Sequence, residues 1–115
     1  MTRPGHVALF RFPHTDLNDG KLRPALVLGK FPGSYGDWLI AMVSSQIRQS
    51  VPDFDELVDE SSNDFSSSGL KTASVIRVGR LAVVDAKVLE GAIGQIGAER
   101  LQRIKSRLAD WIREA

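Results

Sequence analysis

Three polar side chains stand where apolar strands would bury them. Arg23 heads RPALVLGK, Ser44 ends the run DWLIAMVS with Ser45 and Gln46 behind it, and Arg77 interrupts ASVIRV. A guanidinium inside a strand must face solvent or a partner charge, because burying it alone is too costly. Two such arginines with nearby hydroxyls would make a surface for phosphate, whose oxygens match the guanidinium fork. The same residues admit a plainer arrangement in which each arginine pairs with a carboxylate, for instance one from residues 53–64. Other chemistries fail on residue type or spacing. With no cysteine in the chain there is no thiol nucleophile, zinc ribbon or disulfide framework. The two histidines, His6 and His14, are too few for a histidine-rich metal site. Gly91, Gly94 and Gly97 recur every three residues, which is not the dinucleotide fingerprint. Asp53 and Asp55 begin like a calcium loop, but Leu57 and Val58 occupy the positions that would continue it. Ser44 and Ser45 lack the flanking glycines of a nucleophile elbow.

The elements that must position these residues are mostly strands. HVALFRF, from His6 to Phe12, lies between Pro4-Gly5 and Pro13 and reads as the first. PHTDLNDGKL, 13–22, is rich in turn formers and reads as a loop. The second strand is Arg23 to Lys30, with Pro24 at its start or at an edge. The third, Asp37 to Ser45, is nearly all apolar and should be buried on both faces. A short strand is expected near Glu56 to Asp59, then a loop carrying the serine run 66–68. Ala73–Val78 and Arg80–Val84 read as two further strands. Asp85 should cap a helical turn reaching Glu90, and 91–97 forms a short strand or turn. Leu101, Ile104, Leu108, Trp111 and Ile112 recur at three and four residues, which predicts an amphipathic helix over 98–114 packed on the sheet. Several short strands followed by one helix predict a mainly β fold with a C-terminal helix, a small antiparallel barrel in one domain over 1–115.

Charge is unevenly spread along the 115 residues. The net value is only +1, yet residues 53–64 contain six acidic side chains and no basic one. The rest of the chain therefore carries +7, a footprint suited to a polyanion. The longest apolar run, Trp38 to Val43, is six residues, far below the roughly 20 needed to cross a membrane. Arg11 interrupts the early apolar stretch, so no export signal is expected and a cytoplasmic location follows.

GHVALFRFPHTDLNDGKLRPALVL, then AMVSSQI, then SGLKTASVIRVGRLAVVD, in that order, resemble the MazF/PemK family of toxin endoribonucleases over about residues 5–112. The resemblance implies an SH3-like barrel, a homodimer, cleavage of single-stranded RNA without cofactor or metal, and neutralisation by a cognate acidic antitoxin. It places the family's arginine before the proline of the RP motif on Arg23, its strand-ending hydroxyl on Ser44, and a further arginine, the suggested proton donor, on Arg77. The sequence departs from the family at Gly79, where some members carry an acid, and at Ala82, where many carry an arginine. HTDLNDGK also replaces the common loop before Arg23.

The chemistry so implied suits the residues. RNA brings its own nucleophile, the 2′-hydroxyl beside the scissile phosphate. Arg23 and Ser44 would bind the non-bridging oxygens, leaving a 2′,3′-cyclic phosphate and a 5′-hydroxyl. His14, Ser45, Gln46 and Lys71 are candidates to line the RNA groove. With glycine at 79, Asp16 or His14 in the preceding loop would be the base, or the reaction has none. Phe31 and Tyr35 are the expected stacking residues, Trp38 and Trp111 the expected core aromatics. The acidic stretch 53–64, if it lies at the groove rim, would tune RNA access. Two other readings use the same barrel: a toxin that inhibits DNA gyrase without nuclease activity, and an RNA-binding barrel that does not cut.

Overall fold

In the computed structural model, residues 1–11 and 22–115 are described. Six strands are seen: β1 (His6–Arg11), β2 (Leu22–Lys30), β3 (Asp37–Ser44), β4 (Glu56–Val58), β5 (Ser74–Asp85) and β6 (Leu89–Gln95). They form one antiparallel sheet in the order β4-β5-β3-β2-β1-β6. A helical turn α1 (Phe65–Ser68) follows β4, and the helix α2 (Ala98–Glu114) ends the chain.

The period-two pattern of the central strands sorts side chains onto two faces. Leu26, Leu28, Ala41, Val43, Ile76 and Val78 enter one core with Ile104 and Leu108 of α2. Ala25, Val27 and Ile40 enter a second, with Ala8 and Phe10 of β1. β3 is thus buried on both sides, as its apolar run predicts. Trp38 packs half-buried against the second core. The α2 stripe behaves as expected only over its first turns. Leu101, Ile104 and Leu108 pack inward, whereas Trp111 is 54% exposed and stands edge-on to Phe54, ring centroids 6.1 Å apart. Trp111 is therefore not a core residue.

Two other expectations change. The stretch read as two strands is one, because β5 runs on through a bulge: Leu81 lies opposite Ala41 and Arg77 opposite Met42, so 78–80 are looped out. The serine run read as loop contains α1, ended by Gly69 at φ 76°. The edge strands β4 and β6 do not pair with one another, and α1 packs against β6. The Ser67 hydroxyl donates to the Gln95 carbonyl at the end of β6. The approach is close enough to exclude side chains: a Cβ on Gly94 would lie 2.2 Å from the Ser67 carbonyl oxygen, and one on Gly69 2.2 Å from that of Ile93.

The acidic segment is the counter-ion of α2. The Glu56 carboxylate accepts hydrogen bonds from Arg100 (2.8 Å), Arg103 (2.7 and 3.0 Å) and Arg107. Asp64 takes a two-pronged bond from Arg100 (2.8 and 2.9 Å) and the N–H of Gly97, which caps α2. Both carboxylates are buried. Burial alone would raise the Glu56 pKa, but the Arg103 hydrogen bond and the charges of Arg103, Arg107 and Arg100 outweigh it and hold it below the ordinary value. The Arg100 bond, working against burial, lowers that of Asp64.

Candidate functional site: a cleft with two cations

A cleft of about 600 Å³ opens where β2, β3, β6 and the segment after α1 converge. The β2–β3 register pairs Ala25 with Met42, and two residues further along it brings Arg23 level with Ser44. Both side chains line the cleft. Arg23 and Pro24 still lie opposite Phe10 and Leu9 of β1, beyond the last β2–β3 pair, and Pro24 brings no N–H to that step.

Local bonding orients the Ser44 hydroxyl. Its oxygen accepts the N–H of Gln46 at 3.0 Å, so its own proton remains available to donate. Ser45 and Gln46 continue the same wall. Lys71 and Thr72 stand on the opposite wall, delivered by the turn at Gly69 and anchored where the Ser74 hydroxyl donates to the Thr72 carbonyl. Leu9, Leu22, Val43, Leu70 and Ile93 supply apolar lining. Among the described lining residues Arg23 and Lys71 are cationic and none is anionic. Neither cation takes part in an ion pair among the described residues.

The cleft thus gathers five of the eight residues singled out from the sequence: Arg23, Ser44, Ser45, Gln46 and Lys71. Arg77 is not brought to them. Its guanidinium lies 3.3 Å from the buried Asp55 carboxylate and donates to the Gln49 side chain at 3.0 Å, the plainer arrangement for that arginine. His14 and Asp16 fall outside the described residues. No residue of 53–64 lines the cleft, so the acidic stretch is not its rim. Phe31 lines a separate apolar groove of about 360 Å³ against α2, and Tyr35 lines neither, so no described aromatic ring forms a stacking platform beside Arg23. Sequence reasoning missed Thr72, Leu70 and Ile93, which no motif marks. The signal for their wall was the paired glycines Gly69 and Gly94. Among the described residues no group of three or more His, Asp or Glu side chains gathers to hold a metal ion, and no helix is long and apolar enough to cross a membrane.

A family model described as PemK-like, MazF-like toxin of type II toxin-antitoxin systems matches residues 3–112. The chain belongs to that family. The fold agrees. A chain of a MazE-MazF crystal structure from Deinococcus radiodurans superposes with a TM-score of 0.73 at 19% identity, covering 99% of this chain and 97% of that one. The Mycobacterium tuberculosis toxin MazF-mt6 gives 0.64 at 20% identity, with 94% of each chain covered. An endoribonuclease bound to its cognate antitoxin, from a mycobacterial species, gives 0.61 at 14% identity, covering 94% and 93%. No curated protein is similar enough in sequence to count as a match.

Proposed function

We propose that this MazF/PemK-family toxin is a single-domain endoribonuclease that cuts single-stranded RNA in the cytoplasm without a metal cofactor. The observation that carries the reading is the meeting of Arg23 and Ser44 at one cleft whose described lining has cations and hydroxyls but no carboxylate. A phosphodiester seated there receives two kinds of donor on its non-bridging oxygens, the Arg23 fork and the Ser44 hydroxyl. The 2′-oxygen attacks phosphorus and loses its proton to a base. The P–O5′ bond breaks and the 5′-oxygen takes up a proton. Charge on the phosphoryl oxygens grows between the two events, and donors fixed in advance stabilise it most. Lys71 and Gln46 would hold the strand on either side, and the aliphatic lining would receive an unstacked base.

The family and the antitoxin complexes among its structural neighbours support an acidic antitoxin segment as the natural inhibitor. Its carboxylates would compete with RNA phosphate for Arg23 and Lys71. We also assign a homodimer, on family grounds and because β4 covers only Ser74–Ile76 of β5, leaving exposed Leu81 and Val83 along its far end. The deciding experiment incubates purified protein with mixed-sequence RNA in EDTA and maps the new ends. Cuts ending in 2′,3′-cyclic phosphate and 5′-hydroxyl are expected. Binding without cutting would make it a non-cleaving RNA barrel, and neither binding nor cutting would turn attention to a protein target such as gyrase.

A further inference from the structure

The segment that brings Ser44, Ser45 and Gln46 to the cleft has no core anchor of its own. Residues 45–49 are all exposed. Their bonds are internal: Gln46 to the Ser44 hydroxyl, Ile47 to Ser45, Gln49 to Gln46, Ser50 to Ile47. What ties the segment to the sheet is a polar knot centred on Asp55. One carboxylate oxygen accepts the N–H of Val51 at 2.9 Å and the other the N–H of Val78 at 3.0 Å. Arg77 closes the knot, pairing with Asp55 and donating to Gln49, the last residue of the turn that follows Gln46.

We propose that Arg77, with Asp55, is a positioning residue: it fixes the 44–50 segment so that Ser44, Ser45 and Gln46 face the phosphate, and it does not itself deliver the proton to the leaving oxygen. This rests on the nuclease reading above. Its guanidinium is already committed on two sides, its side chain is 17% exposed, and it is absent from the cleft lining. A positioned hydroxyl that drifts by an ångström loses much of its effect, so the knot acts on rate through Ser44.

Two variants weaken the knot without stranding a buried charge: Gln49→Ala, which removes one acceptor, and Arg77→Lys, which keeps the cation beside Asp55 but cannot reach both partners. Amide hydrogen exchange tests the geometry independently of any activity. Exchange of Gln46, Gln49 and Ser50 should quicken in both variants while β2 and β3 stay protected; unchanged exchange overturns the proposal. Cleavage at a mapped site tests the chemistry. Each variant should lose about ten- to a hundredfold in single-turnover rate. The loss should be the same on an RNA whose scissile 5′-oxygen is replaced by sulfur, a leaving group that departs without a proton. If Gln49→Ala cuts normally, or if the sulfur substrate restores Arg77→Lys alone, Arg77 is the acid and the proposal fails. If wild type cuts no RNA, the nuclease reading falls, and with it the rate claim, while the exchange result still decides what holds the segment.

Discussion

Ser44 shows how much a single hydroxyl depends on its immediate chain. It accepts from Gln46 and keeps its proton to give, so its orientation is set before any ligand arrives. Arg23 is exposed and serves no ion pair among the described residues. Neither side chain supports the core, so Arg23→Ala and Ser44→Ala should each reduce cleavage about 10²- to 10³-fold with thermal stability unchanged. Single-turnover rates set against melting curves check this; wild-type rates in both variants would place the chemistry elsewhere. The RP motif and the hydroxyl after the third strand are short-range signals, so these two residues were legible in sequence. Arg77 was legible as an arginine inside a strand and its partner as a carboxylate of 53–64, but not as Asp55 in particular. Asp55 lies far from it along the chain, and only the bulge in β5 and the turn after β3 bring the two together.

At the scale of elements, the clamp between β4 and α2 governs stability. Glu56 and Asp64 have lowered pKa values in the fold, so their contribution is complete above the ordinary carboxylate values, 4.5 for glutamate, and is lost as pH falls through the lowered ones. Melting temperature should therefore be level near neutrality and drop below about pH 4.5, and Glu56→Gln should flatten that drop. The same variant leaves three arginines around a neutral amide and should cost about 3 kcal/mol at pH 7, read by urea denaturation. The glycine seam makes a second claim. Gly94→Ala forces α1 off β6 and should both destabilise the fold and weaken RNA cleavage by displacing Lys71 and Thr72, whereas Gly29→Ala, with nothing within 4 Å of the added methyl, should do neither. Helix α2 was readable to the residue because its apolar spacing is intrinsic to its own sequence. The turn α1 was not, because serine-glycine runs favour loops locally and only contacts with β6, 28 residues away at Gln95, make it helical.

For the whole molecule, the charge that matters is what remains after folding. The sequence contrast between an acidic stretch of six carboxylates and a basic remainder of +7 points to a polyanion surface spread over the body. Folding cancels much of it, since Arg100, Arg103 and Arg107 turn inward onto Glu56 and Asp64. The cleft keeps Arg23 and Lys71. RNA binding should then release few counter-ions, with a log–log salt slope of about −1.5 for two phosphate contacts on a single strand. Fluorescence anisotropy across a salt series measures it; a slope steeper than about −4 would mean that the α2 arginines open to RNA. Neutralising Asp55, Glu56, Asp59 and Glu60 should unfold the protein before it tightens RNA binding, the reverse of what a rim of repelling carboxylates would do. Composition alone could not separate these outcomes, because a net charge does not say which groups face each other.

The clamp also has a direction in time. Asp64 is held from Gly97 and Arg100, and Glu56 from Arg100, Arg103 and Arg107, so the partners sit 33 to 51 residues apart along the chain. A ribosome delivers the N-terminal member of every pair long before its mate. Until the arginines of α2 emerge, β4 and α1 lack the partners of Glu56 and Asp64, and only β6 supports the segment that leads to Lys71. On the nuclease reading proposed above, a growing chain that lacks α2 should leave RNA uncut. The cleft should become competent only once residues 97–107 have joined the fold. Stalled chains ending before Ala98 should neither cut RNA nor resist protease, and release of the full-length chain should confer both properties together.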